Sequence, residues 1–244
     1  VIAQVEQVTE TPLSPRQVEV PGIFVDYVVI AESENHAQTW VTDYDSAFAG
    51  KTRRKMEDAA VMELDERKVI SRRAAMELAK SVGGVVNLGI GMPEGVSKVA
   101  AEEGFINEIH LTAEPGVIGG MPQGGLDFGA AVNHDALLNQ NQQFDFYDGG
   151  GLDLAVLGMA QVDRFGHVNV SKFGPKLAGA GGFINISQTA KKLVFVGTFS
   201  ADGLVVEISD GKLKILQEGK VSKFIADVEQ ITFNAEVALK NRKP

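Results

Sequence analysis

From Asp65 onward the apolar positions follow two alternating rhythms. Ile70, Ala74 and Leu78 recur four residues apart, Asp65 stands at a capping position, and Gly83-Gly84 closes the run. This predicts a helix from Glu66 to about Val82. Val85-Val86-Asn87-Leu88-Gly89-Ile90 then reads as a strand, Gly91-Met92 as a turn, and Pro93 as the opening of a helix ending near Gly104. Ile109-His110-Leu111-Thr112-Ala113 is the next strand, with Glu114 at its end and Gly116, Gly119 and Gly120 behind it. Strand, helix and strand in this order predict an α/β domain, an open and mostly parallel sheet with flanking helices.

Further along, Leu152 to Ala160 and Lys192 to Val196 read as apolar strands, and Phe165-Gly166-His167 as a turn between two strands. Asp210-Gly211 between alternating Val205–Ile208 and Lys212–Ile215 is a hairpin signal. The amphipathic stretch Glu229 to Lys240 is either architectural or part of a subunit interface, and the chain has no internal repeat. Before Asp65 the rhythm fails. Residues 1–31 are strand-like runs broken by Pro12, Pro15 and Pro21, and a polar stretch starting at Glu32 ends in the basic cluster Lys51-Thr52-Arg53-Arg54-Lys55. Residues 32–64 are expected to form a linker or surface segment, and the cluster either meets a phosphate or is a solvated face. The opening Val1-Ile2-Ala3-Gln4-Val5 looks like a strand entered midway. A segment of a longer polypeptide is therefore expected.

Composition narrows the chemistry. The 244 residues carry a net charge of −9, which argues against a nucleic-acid partner. There is no cysteine, so disulfides, thiolate metal sites and a cysteine nucleophile all drop out. No apolar run has membrane-spanning length and no secretory signal is evident, so a cytoplasmic protein without a membrane partner is expected. The four histidines, His36, His110, His134 and His167, show no HExxH spacing, and no metal is expected.

Glu114 carries the candidate chemistry. An acid at the carboxyl end of a buried strand in an open α/β sheet lies where ligands bind. It is either a nucleophile or general base, or an acid that satisfies loop amides or caps a helix. Asn87-Leu88-Gly89-Ile90-Gly91-Met92-Pro93 lets backbone approach a ligand, but Glu94 replaces the third glycine of a dinucleotide fingerprint. Gly179-Ala180-Gly181-Gly182 leaves adjacent amides able to point at an oxygen. Gln123 to Gly129 either lines a pocket beside Glu114 or is an irregular loop. His134-Asp135 suits a helix start or the surface better than a substrate contact, and Lys172 and Lys176 suit solvent better than a phosphate.

Taken in order, Asn87-Leu88-Gly89-Ile90-Gly91-Met92-Pro93, Glu114-Pro115-Gly116 and Gly179-Ala180-Gly181-Gly182 resemble the motifs of the family I CoA-transferases. The likeness covers most of residues 65–235. Gly181-Gly182-Phe183-Ile184-Asn185-Ile186-Ser187-Gln188 is most similar to fused, single-chain acetate or propionate enzymes. The resemblance implies the CoA-transferase (NagB/RpiA-like) fold, with residues 1–31 as the end of an N-terminal α-type domain and 65–244 as the β-type domain. It implies coenzyme A as a substrate, with a short-chain acyl-CoA and a free carboxylate exchanging CoA through a glutamyl-CoA thioester on Glu114. Gly179, Gly181, Gly182, Asn87, Gly89 and Gly91 take oxyanion or CoA-binding roles by the same resemblance. It further implies that the α-type half is a missing partner and that the enzyme is a homo-oligomer. An acyl-CoA hydrolase on the same fold, or a non-catalytic half, remain the alternatives. Pro115 departs from the small or polar residue often found there.

Overall fold

The computed structural model describes residues 1–55 and 61–241. Residues 56–60 of the expected linker, and the last three of the expected 65–244 domain, lie outside the described residues.

A six-stranded sheet organises the chain from Asp65 onward. Its strands are β3 (Val85–Leu88), β4 (His110–Ala113), β5 (Val117–Ile118), β6 (Ala136–Leu137), β7 (Leu154–Gly158) and β8 (Lys192–Val196), in the spatial order β8-β7-β3-β4-β5-β6. The four strands from β8 to β4 run parallel, and β5 and β6 are added antiparallel. The sheet is therefore open and mostly parallel, with helices on both faces. Upstream, β1 (Ile2–Val5) and β2 (Tyr27–Ile30) form a separate two-stranded parallel pair.

Alternation of side chains decides which layer each residue joins. Val86, Leu88, Leu111, Leu154 and Val156 pack against α1 (Glu66–Leu78) and α2 (Glu94–Glu102). On the opposite face Val85, Ala155 and Leu157 meet Tyr147 of α3 (Gln140–Asp148) and Ile186 of α4 (Phe183–Thr189). Asp65 caps α1 by accepting a hydrogen bond from the Lys68 amide at 2.8 Å, as its position predicts. The Asp210-Gly211 turn joins β9 (Val205–Ser209) to β10 (Lys212–Gln217) with both turn residues at positive φ, +50° and +71°. That is the geometry that makes Asp-Gly a hairpin turn. The C-terminal helix α5 (Ala235–Asn241) is shorter than the amphipathic stretch suggests. Residues 229–234 are drawn instead into loop contacts, with Glu229 accepting from Gln161 at 2.6 Å and Phe233 bridging to Val168. Among the described residues no helix is long and apolar enough to cross a membrane.

The polar stretch before Asp65 is docked rather than free. Thr39 and Thr42 both donate to Asp127 Oδ1, at 2.6 and 2.8 Å, and Ala47 is buried. The Arg54 backbone exchanges two hydrogen bonds with the Asn133 side chain, at 2.9 and 2.8 Å. Residues 39–54 thus strap the loops that follow β5. A sequence window reports polarity but not these long-range anchors.

Helices α1 and α2 are tied by Lys68 Nζ and Glu102 Oε2 at 2.8 Å, a pair that is only 11% and 13% exposed. The Lys68 hydrogen bond, helped by the Met62 amide, holds the Glu102 carboxyl below its ordinary value. Glu102→Gln is expected to cost about 2 kcal/mol in urea unfolding at neutral pH, by leaving the ammonium unpaired. A depressed folded-state pKa stabilises above the unfolded value of 4.5 and is lost as pH falls through the folded value. The gap between wild type and variant should accordingly close in acid.

Candidate active site

Glu114 lies in a three-residue hairpin loop, Glu114-Pro115-Gly116, since Ala113 of β4 pairs with Val117 of β5. The loop is forced by its glycine. Gly116 has φ +127°, and a Cβ there would stand 1.9 Å from the Leu138 carbonyl oxygen. Gly119 and Gly120 also adopt positive φ, at +76° and +72°, and bring the chain back against residues 132–135. Pro115 occupies the exposed tip and touches Gly129, so its departure from the family pattern shapes the turn.

Half-buried Glu114 borders a cavity of about 450 Å³. Gly89 and Ile90 reach the cavity from the end of β3, and Leu157 to Ala160 from the end of β7. Gly179 to Phe183 close it. Leu157, Met159, Val170, Phe183 and Ile186 make most of the wall apolar. Of the expected residues, Glu114, Gly89, Gly179, Gly181 and Gly182 therefore share one cavity. Gly91 and Asn87 do not line it.

The backbone amides separate these glycines further. The Gly89 amide donates to the Val156 carbonyl at 2.9 Å, Gly91 to Glu94 Oε1 at 2.7 Å, and Gly179 to the Ser171 carbonyl at 3.0 Å. Their donors are spent on holding loops. The amides of Gly181 and Gly182 have no acceptor among the described residues. Glu94, which displaces the third glycine of the first motif, pins that turn to the Gly125 amide at 3.2 Å as well.

Asn87 is fully buried beneath the carboxylate, and its Nδ2 donates to Glu114 Oε2 at 3.0 Å. Behind it Tyr147 is also fully buried, with its hydroxyl 3.4 Å from Asn87 Nδ2 and 2.8 Å from Thr112 Oγ1. Burial, above all, pushes the Tyr147 hydroxyl pKa up, so the phenol stays protonated. Sequence reasoning did not find Tyr147 or Thr112. The only available signal was a hydroxyl at an inward position of β4 and a tyrosine at the end of a helix.

Other candidates lie elsewhere. Lys172 and Lys176 are exposed on a two-stranded ribbon. His134 hydrogen-bonds the Ala131 carbonyl at 3.1 Å and packs on Gly50, and His167 accepts from the Ala235 amide at 3.1 Å. Among the described residues no cluster of histidines and acids is placed to hold a metal. A larger groove, about 620 Å³, runs between α1 and β8. Its acid, Glu77, is bonded to Lys192, Lys80 and Arg73, which hold its carboxyl down to about 2 and leave no free nucleophile.

No family model matches the chain. It is 31% identical to the β subunit of acetate CoA-transferase from Escherichia coli K12, over 63% of this chain and 70% of that subunit. The chain belongs to the family I CoA-transferases. A second relative of this CoA-transferase chain is the caffeate CoA-transferase of Acetobacterium woodii, 47% identical over 99% of this chain and 47% of that protein. The crystal structure of acyl-CoA transferase (YdiF) apoenzyme from Escherichia coli O157:H7 superposes with a TM-score of 0.83 at 41% identity. It covers 98% of this chain and 44% of that one, and a thioester complex of the same enzyme with CoA matches with a TM-score of 0.77. The chain thus spans a little under half the length of these two relatives.

Gly116→Ala combines a strained φ with a backbone clash, and is expected to lower unfolding stability by about 3 kcal/mol or more. Thermal unfolding of the variant checks this, and an unchanged melting temperature would show that the loop relaxes freely.

Proposed function

We propose that this chain is the β-type half of an acyl-CoA:carboxylate CoA-transferase acting on short-chain acids of the acetate or propionate type, with Glu114 as its nucleophile. The observation that carries the reading is an acid with no cationic partner among the described residues, bordering an apolar cavity shared with the free amides of Gly181 and Gly182. Three relatives support CoA transfer, a β subunit of acetate CoA-transferase, a caffeate CoA-transferase and a YdiF thioester complex with CoA, and the first of them supports a short-chain acid.

The Glu114 carboxylate attacks the acyl-CoA carbonyl, forming a mixed anhydride and releasing CoA thiolate. The thiolate then attacks the Glu114 carbonyl, giving a glutamyl-CoA thioester and the free acid. An incoming carboxylate reverses both steps, regenerates Glu114 and leaves as the new acyl-CoA. Each addition places negative charge on a carbonyl oxygen, and the amides of Gly181 and Gly182 are assigned to that oxyanion. The apolar wall keeps water from intercepting the anhydride or the thioester.

The proposal extends to an α-type half acting with this chain, of which residues 1–31 would be the closing portion. Its support is the doubled length of the relatives and the exposure of β1 and β2, where Ile2 and Tyr27 are each 70% exposed and Ile30 66%.

The test is peptide mass spectrometry of the chain, combined with an α-type half, after incubation with acetyl-CoA. A CoA adduct on the peptide holding Glu114 is expected. Exchange of labelled acetate into acetyl-CoA should fall by at least about 10⁴-fold in Glu114→Ala. Exchange that survives in Glu114→Ala would overturn the assignment. Acid release without exchange would make the protein a hydrolase.

A further inference from the structure

The Asn87 amide bears on the Glu114 carboxylate, yet its own orientation is held from one side only. Asn87 Oδ1 is buried and has no hydrogen-bond partner among the described residues. The nitrogen side therefore decides which way the amide faces. Its two hydrogens have two destinations, Glu114 Oε2 at 3.0 Å and the Tyr147 hydroxyl oxygen at 3.4 Å.

The direction of that second bond follows from the far end of the chain of groups. Thr112 Oγ1 lies 3.0 Å from the Val86 carbonyl oxygen. A carbonyl only accepts, so the Thr112 hydroxyl donates to it and its oxygen is left to accept. The Tyr147 hydroxyl, 2.8 Å away, donates to Thr112, and its oxygen in turn accepts from the Asn87 amide. Every hydroxyl proton is committed, and Tyr147 presents an acceptor to Asn87. A flipped amide would set Oδ1 against the Glu114 carboxylate, acceptor against acceptor, in a buried setting where repulsion is weakly screened.

We propose that Tyr147 and Thr112 are positioning residues for the nucleophile, a one-way hydrogen-bond relay from the Val86 carbonyl that fixes the Asn87 amide and through it one oxygen of Glu114. The relay is built from rigid parts. Asn87 and Thr112 are direct neighbours across β3 and β4. Tyr147 is fully buried at the end of α3 and is flanked by the rings of Phe144 and Phe146, with centroids 6.0 and 6.2 Å away. With Oε2 held, Glu114 Oε1 is the oxygen left without a partner among the described residues, free to attack. The consequence for catalysis rests on the transferase reading, whereas the orientation of the amide does not.

Two measurements on the chain combined with an α-type half separate those levels. The first follows the side-chain amide protons of ¹⁵N-labelled Asn87 by NMR. The second measures the rate of the CoA adduct on Glu114 against acyl-CoA concentration. Tyr147→Phe keeps the ring and removes the acceptor. It is expected to shift the Asn87 amide pair and speed its exchange with solvent, and to slow adduct formation about tenfold or more at unchanged half-saturation. Thr112→Val should act in the same direction, and Thr112→Ser should restore both readouts. Lost packing alone would not be rescued by a smaller hydroxyl side chain. An Asn87 amide pair, or an adduct rate, unmoved by Tyr147→Phe would overturn the relay and leave the transferase reading intact. A wild type that forms no adduct, but whose Asn87 signals depend on Tyr147, would support the relay and defeat the transferase reading alone.

Discussion

The parallel register of β3 against β4 is the constraint on which the site depends. It sets Asn87 beside Thr112, and β4 ends one residue later at Ala113, with Glu114 directly after it. Side chains two apart on a strand share a face, so Thr112 and Glu114 both point to the layer of α3, where Asn87 also points. A slip of one residue would turn the carboxylate toward the α1 and α2 layer. The flanking apolar residues resist that slip, because Val86, Leu111 and Val156 are buried against one layer and Ala155 and Leu157 against the other. Packing energy spread over the whole core thus holds a few polar atoms in place.

Several acids around this core differ from Glu114 in their partners. Glu77, Glu102 and Asp153 are each bonded to lysine or arginine, and each is held below its ordinary carboxylate range. They tie helices and strands together. Asp153, for example, accepts from the Val85 amide at 2.8 Å as well as from Lys191 at 2.7 Å. Among the described residues, Glu114 is bonded only to the neutral Asn87 amide. On the proposed reading, an ion pair would lower its reactivity as a nucleophile, while the Asn87 hydrogen bond orients it. The same division explains why the larger groove beside Glu77 does not compete as a site.

Backbone conformation supplies the remaining precision. Gly116, Gly119 and Gly120 turn the chain back so sharply that Cβ atoms at those positions would strike neighbouring atoms, backbone at the first and last. The strap of residues 39–54 then fastens the returning loops through Thr39, Thr42 and Arg54. Glu114 is carried on a loop, but on one fixed at both ends by the pairing of Ala113 with Val117.

Much of this was legible in the linear pattern. The helix beginning at Glu66, the β3 and β4 strands, the Asp-Gly hairpin and the mostly parallel sheet all follow from local periodicity and caps, which report local energetics directly. The ordered motifs around Asn87, Glu114 and Gly181 were enough to point to the family. What the sequence left undecided depends on distance in space rather than along the chain. Gly89, Gly91 and Gly179 look as available as Gly181 and Gly182, and only the fold shows their amides already bonded to Val156, Glu94 and Ser171. Asn87 was expected in an oxyanion or CoA-binding role by resemblance, and only the fold shows it buried under the carboxylate and bonded to it. Tyr147, 33 residues beyond Glu114 by the numbering, gave no signal beyond its place at the end of a helix. A hydrogen bond between residues on different layers has no period to detect, and it exists only once the hydrophobic layers have closed.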